Sequence, residues 1–277
     1  MVWQQPRWQR FAGSAAENYN QHLVPAIFAP WAEELVDLAA PQPGDRVLDV
    51  ACGPGVVARL VARRAGTGQI TGLDVNPAMV KVARSLPSEL PISWQQGDAR
   101  HLPFPGQAFH LVLCQQGLQF FPDRAAGLDQ MRRVLMPGGR IALAVWGPIE
   151  RSPGFAALAA ALDHHVSAAA AAAARSPFSL PGTSDLRDLI EGAGLQDVQV
   201  HSRTKMLRFP PPAEFVHQYV WGSPIAAALG DADAAALEPA ICEVTEALQP
   251  YLHDHVLSFP IENHLATAIR PSPTPRT

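Results

Sequence analysis

The feature that most constrains the fold is the stretch at residues 46–57, which reads RVLDVACGPGVV. It begins with a short apolar run, which is typical of a buried parallel strand. It continues through Gly53-Pro54-Gly55, whose glycines allow positive φ angles and a close approach of a ligand to the backbone. A helical pattern follows at residues 56–62. A strand, a glycine turn and a helix in this order are typical of the cofactor site in a doubly wound α/β sheet.

The glycine turn alone does not choose between cofactors, because Gly53-x-Gly55-x-x-Ala58 also matches the dinucleotide fingerprint. Asp49 favours a different ligand. It is expected where the first strand ends, facing the loop, and its carboxylate would repel a pyrophosphate. The same carboxylate would suit a cationic group, such as the sulfonium or ammonium of S-adenosylmethionine. The alternative role for Asp49 is a cap of the turn or of the helix.

Composition places the chain among globular proteins without a nucleic-acid or membrane signature. It has 277 residues, of which 48% are hydrophobic, and a formal net charge of −4, and no run of Lys or Arg indicates nucleic-acid binding. No apolar stretch approaches the roughly 20 residues of a membrane span, and the N-terminus lacks the apolar core of a signal peptide. Cys52, Cys114 and Cys242 are far apart and odd in number, which favours reduced thiols in a cytoplasmic protein.

Acidic residues follow the next two predicted strands. The second strand, at residues 69–75, carries Asp74, which lies 21 residues after Gly53, and an acid at about this spacing reaches the two ribose hydroxyls of a bound nucleoside. Met79, in the helix that follows, could flank an adenine ring or belong to the core. The third strand, at residues 92–96, leads to Asp98, which is placed to accept a hydrogen bond from an adenine amino group. Its alternative role is an Asx-turn.

Glutamines follow the fourth predicted strand, at residues 109–114. Ligands of such sheets bind outside the carboxyl ends of the strands, so Gln115, Gln116 and Gln119 are expected to line the cleft. Trp146, which ends a fifth strand at residues 140–146, is a further candidate. A helix is predicted between these strands at residues 123–135, and residues 136–139 (Met-Pro-Gly-Gly) are predicted to cap it.

Four segments occur in one order along the chain: VLDVACGPG at residues 47–55, LDVN at 73–76, GDA at 97–99 and RVLMPGG at 133–139. Together they resemble the motifs of class I S-adenosylmethionine-dependent methyltransferases, in particular the type 11 group that includes quinone-biosynthesis enzymes. The resemblance covers residues 15–147 well and the final strand less well. Two positions depart from the family pattern, since His110 stands where Asp is usual and Gln130 where Glu is frequent. Both are expected away from the ligand end.

The resemblance implies a binding site for S-adenosylmethionine. Asp74 would bind the ribose, the pair Asp98-Ala99 would meet the adenine, and Gln115 would border the methionine moiety together with the glycine loop. The full set of expected cofactor-binding residues is Asp49, Gly53, Pro54, Gly55, Asp74, Val75, Met79, Asp98, Ala99 and Gln115. The residues expected to line the substrate site are Tyr19, Gln116, Gln119 and Trp146.

Outside the motifs, helical segments are expected around a single core. A sixth strand at residues 198–201 and an antiparallel seventh strand at 262–269 would complete a doubly wound, seven-stranded, mostly parallel Rossmann-like sheet with a helical cap insertion. Seven consecutive alanines, at 168–174, predict a helix. The expected division of the chain is an N-terminal helical lid (1–40), the methyltransferase core (41–204 and 258–270), a helical cap that receives substrate (205–257) and a disordered tail (271–277).

Two groups of histidines invite a metal or base hypothesis, namely His164-His165 and His253-Asp254-His255. Strand alternation would put His253 and His255 on one face. No HExxH motif, cysteine cluster or GxSxG elbow accompanies them. Surface or structural roles are therefore expected, and no metal site.

These features predict an S-adenosylmethionine-dependent methyltransferase that acts on a small, fairly apolar molecule, with O- or C-methylation favoured. An acceptor hydroxyl or acidic carbon would need a base, for which Tyr19, His22 and His165 are candidates. Two alternatives stay open: an NAD-dependent oxidoreductase, and a catalytically inactive cofactor-binding partner subunit. The expected partner is a small-molecule methyl acceptor rather than nucleic acid or membrane, and the features are compatible with a homo-oligomer.

Overall fold

The computed structural model describes residues 15–66, 68–229 and 237–272. Over these residues it contains a single eight-stranded sheet. The strands are β1 (Arg46–Val50), β2 (Gln69–Asp74), β3 (Ile92–Gln96), β4 (Phe109–Gln115), β5 (Leu135–Trp146), β6 (Gln196–Phe209), β7 (Leu252–His253) and β8 (Val256–Ile269). Their order in the sheet is β3-β2-β1-β4-β5-β8-β6, and β7 pairs with β8 outside this path.

Most neighbouring strands run parallel. β1 pairs with β2 and β4, β2 pairs with β3, and β4 pairs with β5, all in parallel. β5 and β8 are antiparallel, and their register runs from Arg140 opposite Ile269 to Trp146 opposite Asn263. The carboxyl ends of β1 to β5 therefore lie at the same edge of the sheet, which is called the strand edge below.

Helices connect the strands. They are α1 (Ala15–Asn18), α2 (Ala29–Ala39), α3 (Val56–Ala65), α4 (Pro77–Ser85), α5 (Arg124–Val134), α6 (Pro153–His165), α7 (Ala168–Arg175), α8 (Thr183–Gly192), α9 (Pro212–Trp221), α10 (Ile225–Leu229) and α11 (Glu238–Ala247), with a π-helix at Tyr19–Phe28. Side chains that carry an oxygen acceptor determine where several of these helices begin. Asn76, Asp123 and Ser167 each accept a backbone N–H in the first turn of α4, α5 and α7, which satisfies a donor that the helix leaves unpaired.

The chain divides into two compact units. The first, called the sheet unit, contains Phe28–Pro148, Pro177–Thr204 and the described residues from Glu262 on. The second unit contains the described residues up to Ile27, Ile149–Ser176 and Lys205–Ile261. Residues 28–40 thus group with the sheet and residues 149–176 with the second unit. The roles of lid and cap remain predictions.

Helices cover both faces of the sheet within the sheet unit. One core joins side chains of α2 and α3 to the sheet, and the other joins side chains of α5 and α8 to it. Val47 belongs to the first core and Leu48 to the second, because successive residues of a strand point to opposite faces. The predicted doubly wound, mostly parallel α/β sheet is confirmed, with seven strands on its main path and β7 beside it.

The second unit has its own aromatic core. The Phe209 and Phe259 rings stack with centroids 4.6 Å apart, and Phe155 lies edge-on to Phe259 at 5.8 Å. Tyr219 lies 4.7 Å from Phe155, and burial raises the pKa of its phenol. Phe215 and Tyr219 are both buried on α9.

Three predicted boundaries are wrong. Residues 136–139, expected to cap a helix, lie in β5, where Gly138 N donates to the Arg270 carbonyl at 2.9 Å and Arg270 N donates to the Gly139 carbonyl at 2.9 Å. Pairing with the end of β8 thus overrides residues that favour a turn. β6 is longer than the predicted strand at 198–201 and includes residues 205–209 of the expected helical cap. β8 begins at Val256 instead of residue 262.

The histidine groups also differ from expectation. His253 ends β7, whereas Asp254 and His255 form the turn to β8 with φ angles of 47° and 63°, so the predicted alternation on one strand face is wrong. His164 Nδ1 and His165 Nε2 both contact Glu243, at 3.1 and 2.8 Å. Among the described residues, no group of three or more His, Cys, Asp or Glu side chains could hold a metal ion.

Candidate functional site

The glycine loop, residues 51–55, connects β1 to α3 at the strand edge. Gly55 has φ of 88°, a conformation that side chains with a Cβ rarely adopt. A Cβ at this position would also overlap the Trp94 ring of β3. Glycine is therefore required at position 55 for two independent reasons, and the loop lies directly against Trp94.

Asp74, at the end of β2, holds the glycine loop. Its Oδ2 accepts the Gly53 N–H at 2.8 Å and its Oδ1 accepts the Asn76 N–H at 2.9 Å. Burial raises the pKa of this carboxyl, and the two N–H donors act in the opposite direction. Each oxygen retains a lone pair for a further donor. The sequence predicted the position of Asp74 but not its bond to the loop.

Asp49 is 1% exposed in β1, and its Oδ2 accepts the Ala58 N–H of α3 at 3.0 Å. This bond is the helix cap that the sequence offered as the alternative role. Burial raises the pKa of Asp49 to about 8. Its carboxyl is consequently largely protonated at neutral pH unless a cation lies beside it.

The two carboxyl groups of Asp49 and Asp74 thus occupy two backbone N–H donors of the loop and its helix. A third donor, Gly55 N, donates to the Cys52 carbonyl at 2.9 Å, and Pro54 has no N–H. Diphosphates bind such turns through free N–H groups at the start of the helix. At these positions the loop is unsuited to a dinucleotide, although its glycine spacing fits the fingerprint.

Arg59, in α3, is a loop-binding residue that the sequence did not indicate. Its guanidinium donates to the Pro54 carbonyl at 2.6 Å and to the Ala83 carbonyl at 2.6 Å. It also lies over the Trp94 ring, 4.9 Å from the centroid, in a cation–π arrangement. Arg59 therefore joins the glycine loop to the end of α4. The sequence contained no signal for it beyond a basic residue on the helix after the loop.

Asp98 follows β3 and is engaged with Arg100. The Arg100 N–H donates to Oδ1 at 2.8 Å, and the guanidinium forms an ion pair with Oδ2 at 2.7 Å. These bonds lower the pKa of Asp98 to about 2. This is the Asx-type turn that the sequence offered as the alternative to an adenine contact. Ala99 is buried beside it.

Val75 and Met79 follow the end of β2 in the chain, Val75 directly and Met79 in α4. Val75 is 64% exposed, which is unusual for a large apolar side chain, and Met79 is half-buried in α4. Both therefore offer apolar surface next to Asp74. Their predicted cofactor role depends on a planar group lying there and stays a prediction.

Gln115 and Trp146 end β4 and β5. Gln115 Nε2 donates to the Phe28 carbonyl at 2.8 Å, and its Oε1 has no partner among the described residues. Trp146 packs against the Phe28 and Trp31 rings, with centroids 6.2 and 6.3 Å apart. Both predicted residues thus lie at the strand edge, on the side of α2.

Gln116 and Gln119 follow directly and are joined by a hydrogen bond from Gln119 Nε2 to Gln116 Oε1 at 2.9 Å. They are 6% and 4% exposed. Asn263 of β8, opposite Trp146, was not singled out from the sequence. It is fully buried, and neither its Oδ1 nor its Nδ2 has a partner among the described residues. No clear sequence signal marked Asn263, because β8 also contains Ser258, Glu262, His264 and Thr267.

The three candidate bases lie in the second unit. Tyr19 and His22 belong to the π-helix, and burial lowers the pKa of the His22 imidazole. His165 ends α6 with its Nε2 on Glu243. Their catalytic roles, and the substrate-lining role of Tyr19, stay predictions. All three cysteines are free thiols, with Cys52 and Cys114 buried, and within the described ranges no helix is long and apolar enough to cross a membrane.

Comparisons with known proteins find similarity to methyltransferases. Residues 47–139 match the family described as a methyltransferase domain. The chain is 42% identical over 132 residues to the 2-phytyl-1,4-naphtoquinone methyltransferase of Synechococcus elongatus, covering 46% of this chain and 57% of that protein. It is 34% identical over 149 residues to the ubiquinone/menaquinone biosynthesis C-methyltransferase UbiE of Cupriavidus pinatubonensis, covering 50% and 61%.

A solved structure extends the comparison to the fold. Phosphoethanolamine N-methyltransferase 2 of Haemonchus contortus, in complex with S-adenosyl-L-methionine, superposes with a TM-score of 0.59 at 17% identity, covering 96% of this chain and 59% of that one. At this identity the likeness concerns the fold alone. The matched region spans somewhat more than half the length of the two curated relatives.

Proposed function

We propose that this chain, whose residues 47–139 match the methyltransferase domain family, transfers a methyl group from S-adenosylmethionine to a small, fairly apolar, quinone-like acceptor, at oxygen or carbon. The acceptor class is drawn from the curated relatives, whose names describe a naphthoquinone methyltransferase and a ubiquinone/menaquinone C-methyltransferase. The choice of cofactor is supported independently by the glycine loop.

The observation that carries the proposal is the bonding of that loop. Its N–H groups at Gly53 and Gly55 are taken by Asp74 and Cys52, and Asp49 takes the N–H of Ala58. A phosphate would therefore find no free N–H group at Gly53, Gly55 or Ala58. Buried carboxyl groups favour a ligand that carries positive charge, as the sulfonium and ammonium of S-adenosylmethionine do.

Residues of the sheet unit fit the rest of the cofactor. The free lone pairs of Asp74 would accept the two ribose hydroxyls, and the apolar surfaces of Val75 and Met79 would border the adenine. Asp98 is held by Arg100 and would shape the turn that carries Ala99, which would meet the adenine. Gln115 and the glycine loop would border the methionine moiety.

When bound, S-adenosylmethionine supplies a methyl group that its sulfonium makes electrophilic. The contribution of the chain is alignment, since an acceptor held in line with that methyl group reacts as an intramolecular partner. Trp146 offers an apolar wall for a ring, and Gln116 and Gln119 offer polar atoms next to it. If the acceptor must lose a proton, Tyr19, His22 and His165 remain the candidates for the base.

The test is thermal unfolding with S-adenosylmethionine, S-adenosylhomocysteine and NAD in parallel, each at about 100 times a micromolar dissociation constant. A ligand that binds only the folded protein adds about 2.7 kcal/mol of stability at this concentration. Both adenosyl compounds are expected to raise the melting temperature by a few degrees, and NAD is not. Stabilisation by NAD alone would replace the proposal with an oxidoreductase.

Asp74→Ala sharpens the same test. It is expected to weaken S-adenosylmethionine binding at least tenfold by calorimetry, because the ribose acceptor and the anchor of the loop are both lost. Asn76→Ala, which removes the cap of α4 and leaves both Asp74 oxygens in place, is the matched control with unchanged affinity. Tight cofactor binding without turnover on a panel of quinone-like acceptors would favour the inactive partner subunit instead.

A further inference from the structure

Gln116 and Gln119, called the amide pair below, carry two polar atoms with no partner among the described residues. These atoms are Gln116 Nε2 and Gln119 Oε1. Both side chains are more than nine-tenths buried. Buried polar atoms are rarely left without a hydrogen bond, because the desolvation that they suffer is then uncompensated. The missing partners are one donor and one acceptor, which a buried water or the hydroxyl group of a ligand would supply.

The amide pair is held in place from both sides. Gln116 N donates to the Ala144 carbonyl of β5 at 2.8 Å, and the Gln119 carbonyl accepts the Ser179 hydroxyl at 3.0 Å. Between them, a Cβ at Gly117 would meet the Ala51 Cβ. Because Ala51 begins the glycine loop, the amide pair lies on a turn that abuts the proposed cofactor site.

The pair presents one free donor and one free acceptor whichever way its amides are oriented. With the hydrogen bond running from Gln119 Nε2 to Gln116 Oε1, the Gln116 amide nitrogen and the Gln119 amide oxygen have no partner among the described residues. Exchanging oxygen and nitrogen in both side chains preserves the bond between them and frees the Gln116 oxygen and the Gln119 nitrogen instead. The chemistry of the pair is thus independent of an orientation that is assigned from hydrogen bonding.

We propose that the amide pair is a subsite for a hydroxyl group of the methyl acceptor, and that it determines acceptor specificity. A hydroxyl accepts from the free amide nitrogen and donates to the free amide oxygen, so it satisfies both atoms. A methyl ether or a carbonyl oxygen can only accept, and would leave the amide oxygen buried without a donor. The quinone-like acceptor is therefore expected to bind in a form that carries a hydroxyl group. This inference rests on the proposed function, since it concerns the acceptor of that reaction.

The experiment compares 2-naphthol with 2-methoxynaphthalene, two apolar ring compounds that differ in the hydroxyl. Calorimetric titrations use the full chain saturated with S-adenosylhomocysteine. The naphthol is expected to bind at least tenfold more tightly, because a site built to pair a hydroxyl rejects an analogue that leaves its groups unpaired. Equal affinity, or no affinity, for the two compounds would overturn the proposal.

The variant that tests the residues is the double substitution Gln116→Met with Gln119→Met. It removes both amides at nearly constant size, so neither is left unpaired and the chain is expected to fold. The preference for naphthol should fall to about one, while affinity for S-adenosylhomocysteine stays at the wild-type value.

Gln199→Ala, an exposed glutamine of β6, is the matched control and should keep the wild-type ratio. A double variant that still prefers naphthol would show that the amide pair is not the hydroxyl subsite, even if the protein transfers methyl groups. Conversely, hydroxyl-selective binding in a protein that transfers no methyl group would remove the proposed function and leave the subsite standing. The two failures are therefore distinguishable.

Discussion

At the β1–β2 end of the strand edge, both oxygens of Asp74 accept backbone N–H groups. At the β4–β5–β8 end, the side chains of Gln116, Gln119 and Asn263 keep polar atoms with no partner among the described residues. The two ends belong to one sheet, and their polar groups are comparably buried. What differs is whether the chain itself completes the hydrogen bonds.

The difference separates two tasks. A fully bonded loop keeps its shape without a ligand, so its residues contribute both to stability and to a pre-formed cofactor cradle. Polar atoms without partners cost stability and are retained where a ligand completes them. Substitutions that disturb the bonded loop should consequently lower stability, and substitutions that remove uncompensated buried polar or ionisable groups should raise it. Three substitutions test this, the first with the largest expected effect.

Gly55→Ala should lower the free energy of unfolding by about 3 kcal/mol or more. The new Cβ adds the cost of a positive φ, roughly 1–2 kcal/mol, to an overlap with the Trp94 ring that costs a further 1–3 kcal/mol or so. Gly44→Ala is the matched control, because Gly44 has φ of 85° and nothing within 4 Å of its Cβ position. Urea unfolding should show a loss of only about 1–2 kcal/mol there, and equal losses would mean that Trp94 does not restrain the loop.

The pattern of residues 46–57 predicted this end of the site well, because the signals are local. A buried strand, a glycine turn and a helix follow one another within a dozen residues, and Asp74 lies where the next strand ends. The alternatives offered for Asp49 and Asp98 were also local, and both describe bonds that the structure contains. The predicted contacts with a cofactor are untested, so these residues stay candidates.

The features that the sequence did not predict depend on contacts between residues that are distant in sequence. The contacts of Arg59 with Ala83 and Trp94 exist only once α3, α4 and β3 have packed. The start of β5 is likewise set by pairing, since Leu135 lies opposite Phe109 of β4, although Pro137, Gly138 and Gly139 favour a turn. No periodicity reveals such partners, because tertiary contacts override local preference.

Asn263→Leu probes the other end and should raise the free energy of unfolding, by about 1 kcal/mol. Leucine fills a similar volume and removes two buried polar atoms that have no partner among the described residues, whose desolvation is otherwise uncompensated. Gln115→Leu is the control, since it removes one free atom but also the bond to the Phe28 carbonyl, and it should leave stability nearly unchanged. Destabilisation by Asn263→Leu would contradict the contrast between the two ends.

Asp49→Asn sharpens the comparison through pH. The pKa of Asp49 is raised to about 8 in the folded protein, against about 3.9 in an unfolded chain. Between these two pH values the folded state therefore binds one more proton at Asp49 than the unfolded state does. The stability that this proton contributes is complete below about pH 4 and is lost as the pH rises to 8.

Asparagine keeps an oxygen for the Ala58 N–H and has no proton to lose as the pH rises, so it should remove this decline. Relative to wild type, the variant is expected to gain about 1 kcal/mol for each pH unit between pH 5 and 7, close to the limit of 1.4 kcal/mol for one proton. Urea unfolding of both proteins at pH 5, 6 and 7 measures the difference. Parallel pH curves would mean that Asp49 is already ionised in the folded protein without a ligand. The loop would then attract a cation without Asp49 first having to lose a proton.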